Sequence, residues 1–404
     1  MKKETMEQID VFSRHINGGK GALVGALGGV ARMQKAAQKE ESAEIKEYIL
    51  MNMDVEIAEF RVNKWGIVEN VRVLKELPNW ISNFRAFIEG RRAPKHRENI
   101  AQLLQESGCA TLQGYLDITH ALSLIDTYWV KPIGSLLKWK DVSLYTHEFN
   151  EVIAKTAFEG GLHGRNLSTT SPEYGTDGSF AKCWVREDGQ IRMLKRGSSG
   201  ARNAGLEPYS EYYAAQVAEY FHVPYVKYGL RSRSGRVHSV CDIFTSEKYG
   251  YLPYAAIGDI QSDVFSVLEK CAEYGFEDRA RTMFVFDAVI MNEDRHKGNF
   301  GFLIENDTQK IVDFAPLFDH NISLLPYAEE DDFSGMEKYM LSRGPRLADT
   351  FLQSAKICIT PELENVLINL RGFEFTRHPK YNLPEWRLKA LENQMQQNIE
   401  RILG

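Results

Sequence analysis

The order of apolar and polar residues divides the chain into segments with different secondary-structure signals. Residues 48–52 and 55–62 are short runs rich in β-branched and aromatic residues, which predicts two strands. Residues 77–89 and 94–106 have the apolar spacing of two short helices. We therefore expect residues 46–155 to form a mixed α/β region.

The middle of the chain alternates strand signals with turn residues. Residues 181–186 and 191–195 flank an Asp-Gly pair, which predicts a β-hairpin. A helix is expected from about residue 208 to 221, and a further strand over residues 236–244. This pattern predicts a sheet of short strands joined by turns, with one helix.

The last part of the chain, residues 247–404, has mainly helical spacing. Its clearest helix follows Pro384, a residue that is tolerated in a first helical turn because no hydrogen bond is lost there. Apolar residues then recur at steps of three or four. They are Leu388, Leu391, Met395, Ile399 and Ile402.

The first 45 residues stand apart because Gly21, Gly25 and Gly29 are spaced four apart and would share one helix face. A flexible or ordinary helical leader, an oligomerisation surface and transient membrane contact all fit this spacing. The apolar run at 21–31 has about half of the roughly 20 residues that a membrane-spanning helix needs. Acidic residues precede the run and no convincing cleavage site follows, so neither a membrane span nor a signal peptide is expected.

Composition narrows the class of protein. Of the 404 residues, 43% are hydrophobic and 26% are charged, which is typical of a globular chain. The net charge of −6 argues against nucleic-acid binding. The five cysteines form no C-x-x-C pair, so neither a disulfide framework nor a zinc site is expected, and a reducing cytoplasm is the simplest location.

The most informative segment is a polar loop between two apolar stretches, and it reads Asn-Glu-Asp-Arg-His-Lys-Gly-Asn over residues 292–299. Phosphoryl transfer needs a carboxylate to orient the attacking hydroxyl and a neutral oxygen ligand for magnesium. Protein kinases place these two groups five residues apart. The loop therefore predicts Asp294 as the catalytic carboxylate and Asn299 as a magnesium ligand.

A second magnesium ligand is expected after the next apolar strand. Residues 311–319 contain two candidates, Asp313 and Asp319. Asp319 is preferred because it ends the apolar run, whereas Asp313 interrupts it. Magnesium favours such hard oxygen ligands and commonly shares them with phosphates.

Two further groups upstream would bind the nucleotide. Lys195 ends an apolar strand, from which its ammonium could reach phosphates, and a lysine so placed needs an acidic partner. Glu211 shares a face of the predicted helix with alanines and Phe221, and Glu207 is the alternative one turn earlier. Such a pair would correspond to the Lys–Glu pair of kinases.

A glycine-containing turn precedes the first hairpin strand and reads Gly-Thr-Asp-Gly-Ser-Phe-Ala-Lys over residues 175–182. Small residues such as Gly178 would let backbone amides approach phosphate oxygens, although an Asp-Gly turn explains the segment equally well. Lys182 would contact phosphate or be solvated. The basic stretch at 91–97 is interpreted as a solvated face or as a phosphate or partner contact.

Together these motifs resemble the HipA-like Ser/Thr protein kinases, whose D-R-H-x-x-N loop also resembles that of phosphoinositide kinases. The matching stretches are residues 176–184, 193–195, 207–211, 292–301 and 315–319, with 128–132 and 137–142 resembling the leader of such proteins. The resemblance covers roughly residues 46–404 and leaves residues 1–45 outside.

The resemblance implies an α+β, bilobal kinase-like fold. A small antiparallel-sheet lobe (156–246) and a mainly helical large lobe (247–404) would hold ATP between them, after an N-terminal region (46–155). It also implies magnesium, a Ser/Thr acceptor on a protein substrate, a possible antitoxin partner, and autophosphorylation of the glycine loop, where Thr176 and Ser179 are candidates.

The resemblance gives roles to four more residues. His296 and Arg295 belong to the catalytic-loop motif and would either brace the loop or contact the transferred phosphate. Asp242 and Phe244 would lie where the lobes join, with their backbone near adenine. A lipid or small-molecule kinase and a nucleotide-binding pseudokinase are the competing interpretations, and intact Lys195, Asp294, Asn299 and Asp319 argue against the pseudokinase.

Overall fold

The structure is a computed structural model, and it describes residues 45–404 except 166, 201–202, 259–260 and 341. The leader predicted at residues 1–45 therefore lies outside the described residues, apart from Ile45. The described part is an α+β protein with three antiparallel sheets. Within that part, every helix is too short or too polar to cross a lipid bilayer.

The first sheet has the strand order β3-β2-β1-β4. Its strands are β1 (Lys46–Asn52), β2 (Val55–Val62), β3 (Val68–Val73) and β4 (Tyr128–Pro132). The helices of this region are α1 (Phe84–Gly90), α2 (Ile100–Ser107), α3 (Leu112–Thr119) and the short α4 (Trp139–Val142). Tyr48 and Leu50 face a core shared with α1–α3, whereas Ile49 and Met51 face Trp139 and Ile191. Both faces of β1 are thus buried, as the apolar sequence of β1 requires.

The second sheet has the order β5-β6-β8-β7. Its strands are β5 (Lys182–Glu187), β6 (Gln190–Arg196), β7 (Tyr228–Arg233) and β8 (Arg236–Asp242), and it is packed between α5 (Glu151–Glu159) and α6 (Glu207–Ala218). Alternation along the strands sends Cys183 and Leu194 toward Phe158 of α5. The opposite face carries Lys195 and lies against α6.

The third sheet and the remaining helices form the rest of the described chain. The strands are β9 (Tyr249–Pro253), β10 (Gly301–Glu305) and β11 (Ile311–Phe314), in the order β11-β10-β9. The helices are α7 (Val264–Glu273), α8 (Glu277–Ile290), α9 (Glu330–Ser334), α10 (Met336–Met340), α11 (Phe351–Cys358), α12 (Pro361–Asn369) and α13 (Glu385–Leu403). Helix α8 is the centre of the largest core, and residues 282–290 are all buried.

Several element boundaries differ from the sequence-based predictions. The helix predicted at 77–89 begins only at Phe84, where Asn83 caps it by accepting a hydrogen bond from the amide of Ala86. The helix predicted at 94–106 begins at Ile100. The predicted hairpin is present, with Asp188 and Gly189 both at positive φ in its turn, the backbone geometry that an Asp-Gly pair favours.

Candidate active site

The side chains of Lys195, Glu211 and Asp319 come from three separate elements and are in contact with one another through Lys195. The ammonium Nζ of Lys195 lies 2.7 Å from Oε1 of Glu211 on α6 and 2.5 Å from Oδ1 of Asp319 in the turn after β11. Lys195 and Glu211 are almost completely buried, and Asp319 is partly exposed. The structure thus brings together three residues that the sequence assigned to one site.

The charges of this cluster stabilise one another. Burial disfavours the ammonium of Lys195, but Asp319 and Glu211 outweigh that effect and raise its pKa. Burial raises the pKa of Glu211. Burial also acts to raise the pKa of Asp319, but Lys195 and Lys182 outweigh it and hold that pKa below its ordinary value. Ser239 on β8 donates a hydrogen bond to the second oxygen of Glu211, a contact that the sequence did not suggest.

The two alternative acidic residues, Glu207 and Asp313, lie outside this cluster. Glu207 is buried one turn earlier on α6, and its Oε1 accepts a hydrogen bond from the hydroxyl of Tyr327 at 2.9 Å. Asp313 lies on β11, where its carboxylate accepts a hydrogen bond from the amide of Phe314. Asp319 has a positive φ of 55° and donates its amide to the hydroxyl of Tyr228 at 3.0 Å, which fixes the turn that carries its side chain.

The loop at 292–299 is built around the buried guanidinium of Arg295. Its Nε and Nη2 donate to the two oxygens of Asp287 on α8 at 2.8 and 3.0 Å. Its Nη1 donates to the carbonyls of Asn299 at 2.6 Å and Phe318 at 2.9 Å. One side chain therefore ties the loop of Asp294 and Asn299 to the turn of Asp319. Asp287 was missed in the sequence, although a carboxylate inside an apolar run was its signal.

Within the loop, the side chains of Asp294, His296 and Asn299 have different surroundings. The amide nitrogen of the Asn299 side chain donates to the carbonyl of Asp294 at 3.3 Å. The Nδ1 of His296 accepts a hydrogen bond from the amide of Gly298 at 3.0 Å, a contact within the loop. The carboxylate of Asp294 lies beside Arg346, with 2.6 Å between Oδ1 and Nη2.

The glycine turn is held by two cations. Lys182 faces Lys195 across the β5–β6 ladder, and its Nζ donates to the carbonyl of Asp177 at 2.7 Å. Gly178 has a φ of 93°, and a Cβ atom at this position would collide with that ammonium. Burial and the like charge of Lys195 lower the pKa of Lys182 to about 8. The turn therefore contacts one buried amine, Lys182, which faces a second buried amine, Lys195.

Arg97 from the first region is the second cation. Its Nη1 donates to the carbonyl of Thr176 at 2.7 Å, and only 2% of the residue is exposed. Its Nε and Nη2 are buried and have no hydrogen-bond partner among the described residues, and burial lowers its pKa to about 10. The basic stretch at 91–97 was its signal in the sequence, but Arg91 in the same stretch makes a buried ion pair with Asp126 instead.

Asp242 and Phe244 lie at the end of β8 and just beyond it. The carboxylate of Asp242 accepts a hydrogen bond from Nε of Arg192 at 2.8 Å and is well exposed. The ring of Phe244 packs against Phe318, the residue before Asp319, with 5.3 Å between centroids, and against Tyr251 at 5.6 Å. Phe244 therefore borders the charged cluster, whereas the side chain of Asp242 is at the surface.

The residues present fit a shared magnesium ion better than an independent metal centre. Over the residues that the structure describes, no group of three or more His, Cys, Asp or Glu side chains could hold a metal. Asp319 and Asn299 offer one carboxylate and one amide oxygen on turns that Arg295 joins. Magnesium commonly takes one or two protein ligands and completes its shell with phosphates and water.

No protein-family model and no curated protein matches the chain. Matches were found among solved structures. The proinflammatory kinase CtkA of Helicobacter pylori is similar with a TM-score of 0.46 and 17% identity, over 58% of this chain and 92% of CtkA. HipA of Shewanella oneidensis MR-1, solved with HipB and operator DNA, is similar with a TM-score of 0.48 and 12% identity, over 88% of this chain and 97% of that HipA.

Proposed function

We propose that this chain is a kinase that transfers the γ-phosphate of ATP, with magnesium, to a serine or threonine hydroxyl of a protein. The observation that carries the proposal is the meeting of Lys195, Glu211 and Asp319, at 2.7 and 2.5 Å from the lysine nitrogen, beside the loop of Asp294 and Asn299. Kinases require this set of groups, and here they come from positions as far as 124 residues apart.

The cations around the glycine turn favour a polyphosphate as the ligand. Two buried cations contact this turn, since Lys182 donates to the carbonyl of Asp177 and Arg97 to that of Thr176, and buried Lys195 faces Lys182 across the β5–β6 ladder. Two Arg97 nitrogens have no acceptor among the described residues. Buried N–H groups without partners are costly, and an anion would satisfy them. The triphosphate of ATP is an anion of suitable charge and would lie between this turn and Asp319.

The loop at 292–299 and the turn of Asp319 would supply the remaining catalytic groups. Asp294 would orient the acceptor hydroxyl and accept its proton, while Asn299 and Asp319 would hold the magnesium ion. When bound, magnesium supplies charge neutralisation for the phosphates. Arg295 keeps both turns in register through the carbonyls of Asn299 and Phe318, and His296 acts on the geometry of the loop through Gly298.

The finer features of the proposal rest on the sequence resemblance. They are a bilobal arrangement with ATP between the second sheet and the helical part, a Ser/Thr acceptor, autophosphorylation, an antitoxin partner and a cytoplasmic location. HipA of Shewanella oneidensis was solved with HipB and DNA, and a comparable protein partner is proposed for this chain.

The test is incubation of the purified protein with γ-labelled ATP and magnesium, with and without cell lysate. We expect acid-stable label on serine or threonine residues of protein. In Asp294→Asn the rate of phosphate transfer should fall by roughly 100-fold or more. The matched control is Asp313→Asn, because Asp313 lies on β11 outside the cluster. Label that appears only in an organic extract would support a lipid kinase instead, and transfer that survives in Asp294→Asn would refute the assignment.

A further inference from the structure

A second arginine contact reaches the catalytic loop from outside it. Arg346 lies in the segment at 342–350, between α10 and α11, and its Nη2 is 2.6 Å from Oδ1 of Asp294. The Arg346 side chain is 60% exposed and that of Asp294 22%. The two groups touch without the alignment of a hydrogen bond, because Oδ1 has no aligned donor among the described residues. The Oδ1 atom of Asp294 is itself buried, whereas the Arg346 side chain that covers it is exposed to solvent.

The backbone on both sides of Arg346 is fixed. Arg343 donates from Nη1 to both oxygens of Glu293, at 3.3 and 3.0 Å, and its guanidinium lies 4.4 Å from the ring centroid of Tyr339. On the other side, Leu347 is buried in the large core. The side chain of Arg346 can therefore move away from Asp294 while its backbone stays in place.

We infer that Arg346 selects acceptors that carry an acidic side chain close to the serine or threonine. This inference rests on the proposed function, in which the acceptor hydroxyl must reach the Asp294 carboxylate that Arg346 now contacts. An acceptor without a nearby charge displaces the guanidinium from Asp294 but forms no new ion pair with it. An acceptor with a neighbouring carboxylate offers a new ion pair, and the fixed backbone keeps Arg346 within reach of it.

The geometry limits where that acidic residue lies. An extended chain advances about 3.3 to 3.6 Å per residue, so a carboxylate within about two residues of the hydroxyl stays within the reach of one arginine side chain. Because exposed ion pairs contribute up to about 1 kcal/mol, the expected preference is about fivefold.

The experiment uses the full chain and a degenerate Ser/Thr peptide library in which one position at a time is fixed as Glu or Ala. We expect wild type to prefer Glu at a position next to the acceptor by about fivefold. Arg346→Ala should lose this preference, and Arg346→Lys should retain part of it. Arg371→Ala is the matched control, since Arg371 is an exposed arginine whose partner Glu400 lies on the last helix.

Each outcome decides the inference. The same preference for Glu in wild type and Arg346→Ala, or no preference in wild type, would overturn it. An equal gain on Glu and Ala peptides in Arg346→Ala would also overturn it, since Arg346 would then block acceptors without selecting among them. Thermal stabilisation by magnesium-ATP is measured on the same preparations. If the wild-type protein neither binds nucleotide nor transfers phosphate, the proposed function itself is wrong.

Discussion

Lys195 and Asp319 lie 124 residues apart in the chain, yet Nζ of one is 2.5 Å from Oδ1 of the other. This contact joins β6 of the second sheet to the turn that follows β11. It is an ion pair between Lys195, the expected phosphate-binding cation, and Asp319, the expected magnesium ligand. Binding of magnesium-ATP should therefore change the partners of both groups, which makes this pair the most sensitive place to test the site.

The first prediction separates binding from stability at Lys195. Lys195→Ala leaves the buried carboxylate of Glu211 without its cation and should lower the free energy of unfolding by about 3 kcal/mol. The double variant Lys195→Ala/Glu211→Gln should recover part of that loss. Neither protein should show the thermal stabilisation that magnesium-ATP gives wild type, because the phosphate-binding cation is absent from both.

The measurement for Lys195 is the melting temperature with and without magnesium-ATP, and exposed Lys227→Ala serves as the control. An equal nucleotide shift in wild type and Lys195→Ala would remove Lys195 from the site.

The second prediction distinguishes the roles of Asp294 and Asn299 in the loop from that of Asp319 in the turn after β11. Asp294→Asn keeps the shape but loses the charge that orients the hydroxyl, so transfer should fall while magnesium-ATP still binds. Asp319→Asn should also weaken magnesium-dependent ATP binding, by at least about tenfold, because a metal ligand loses its charge. The magnesium-dependent ATP affinity of Asn299→Ala should lie between those of Asp294→Asn and Asp319→Asn, because only one neutral ligand is lost. Phosphate transfer and ATP affinity at several magnesium concentrations test this, and weakened binding in Asp294→Asn would contradict the division of roles.

The third prediction concerns Lys182, whose pKa of about 8 is below the ordinary 10.5. Between these values the unfolded chain binds more protons than the folded chain, so the stability contributed at this position rises with pH. Below pH 8 the buried charge destabilises the fold. Lys182→Met should therefore be more stable than wild type at pH 7 by about 3 kcal/mol, and the difference should shrink as the pH rises towards 10.5.

Urea unfolding of both proteins at several pH values measures the Lys182 effect, since all other groups are common to the pair. A stability difference that does not change between pH 7 and pH 10 would show that Lys182 is not buried as a charged amine.

The fourth prediction chooses between the two hydroxyls of the glycine turn. Thr176 donates its hydroxyl to the carbonyl of Pro172 and accepts a hydrogen bond from Nε1 of Trp184, both at 2.8 Å. Ser179 is exposed. Autophosphorylation should therefore occur on Ser179, and its added charge of about −1.5 to −2 should weaken ATP binding. Peptide mass spectrometry after incubation with ATP locates the phosphate; modification of Thr176 in wild type would refute this choice.

The fifth prediction tests whether the first region supports the nucleotide site. Arg97→Lys keeps a cation near the Thr176 carbonyl, whereas Arg97→Ala removes it. We expect Arg97→Ala to weaken magnesium-ATP binding by about tenfold and Arg97→Lys to restore part of the affinity, because one charge-assisted hydrogen bond contributes about 1.5 to 3 kcal/mol. Exposed Lys95→Ala is the matched control, and unchanged affinity in Arg97→Ala would limit Arg97 to a packing role.

The sequence by itself determined the local features of this protein. Asp188 and Gly189 fixed the hairpin turn because an Asp-Gly pair tolerates positive φ, and the five-residue step from Asp294 to Asn299 lies within one short loop. The tertiary structure alone decided which distant groups meet. It brought Glu211, which the sequence preferred, to Lys195 on β6 and placed Glu207, one turn earlier, against the hydroxyl of Tyr327.

Tertiary packing also decided the contacts of Asp287, Arg97 and Arg346. Their positions depend on how α8, the first region and the segment at 342–350 pack around the loop, and no local pattern encodes those contacts. A buried charge must find its partner wherever the folded chain provides one, and that partner is set by packing rather than by neighbours in sequence.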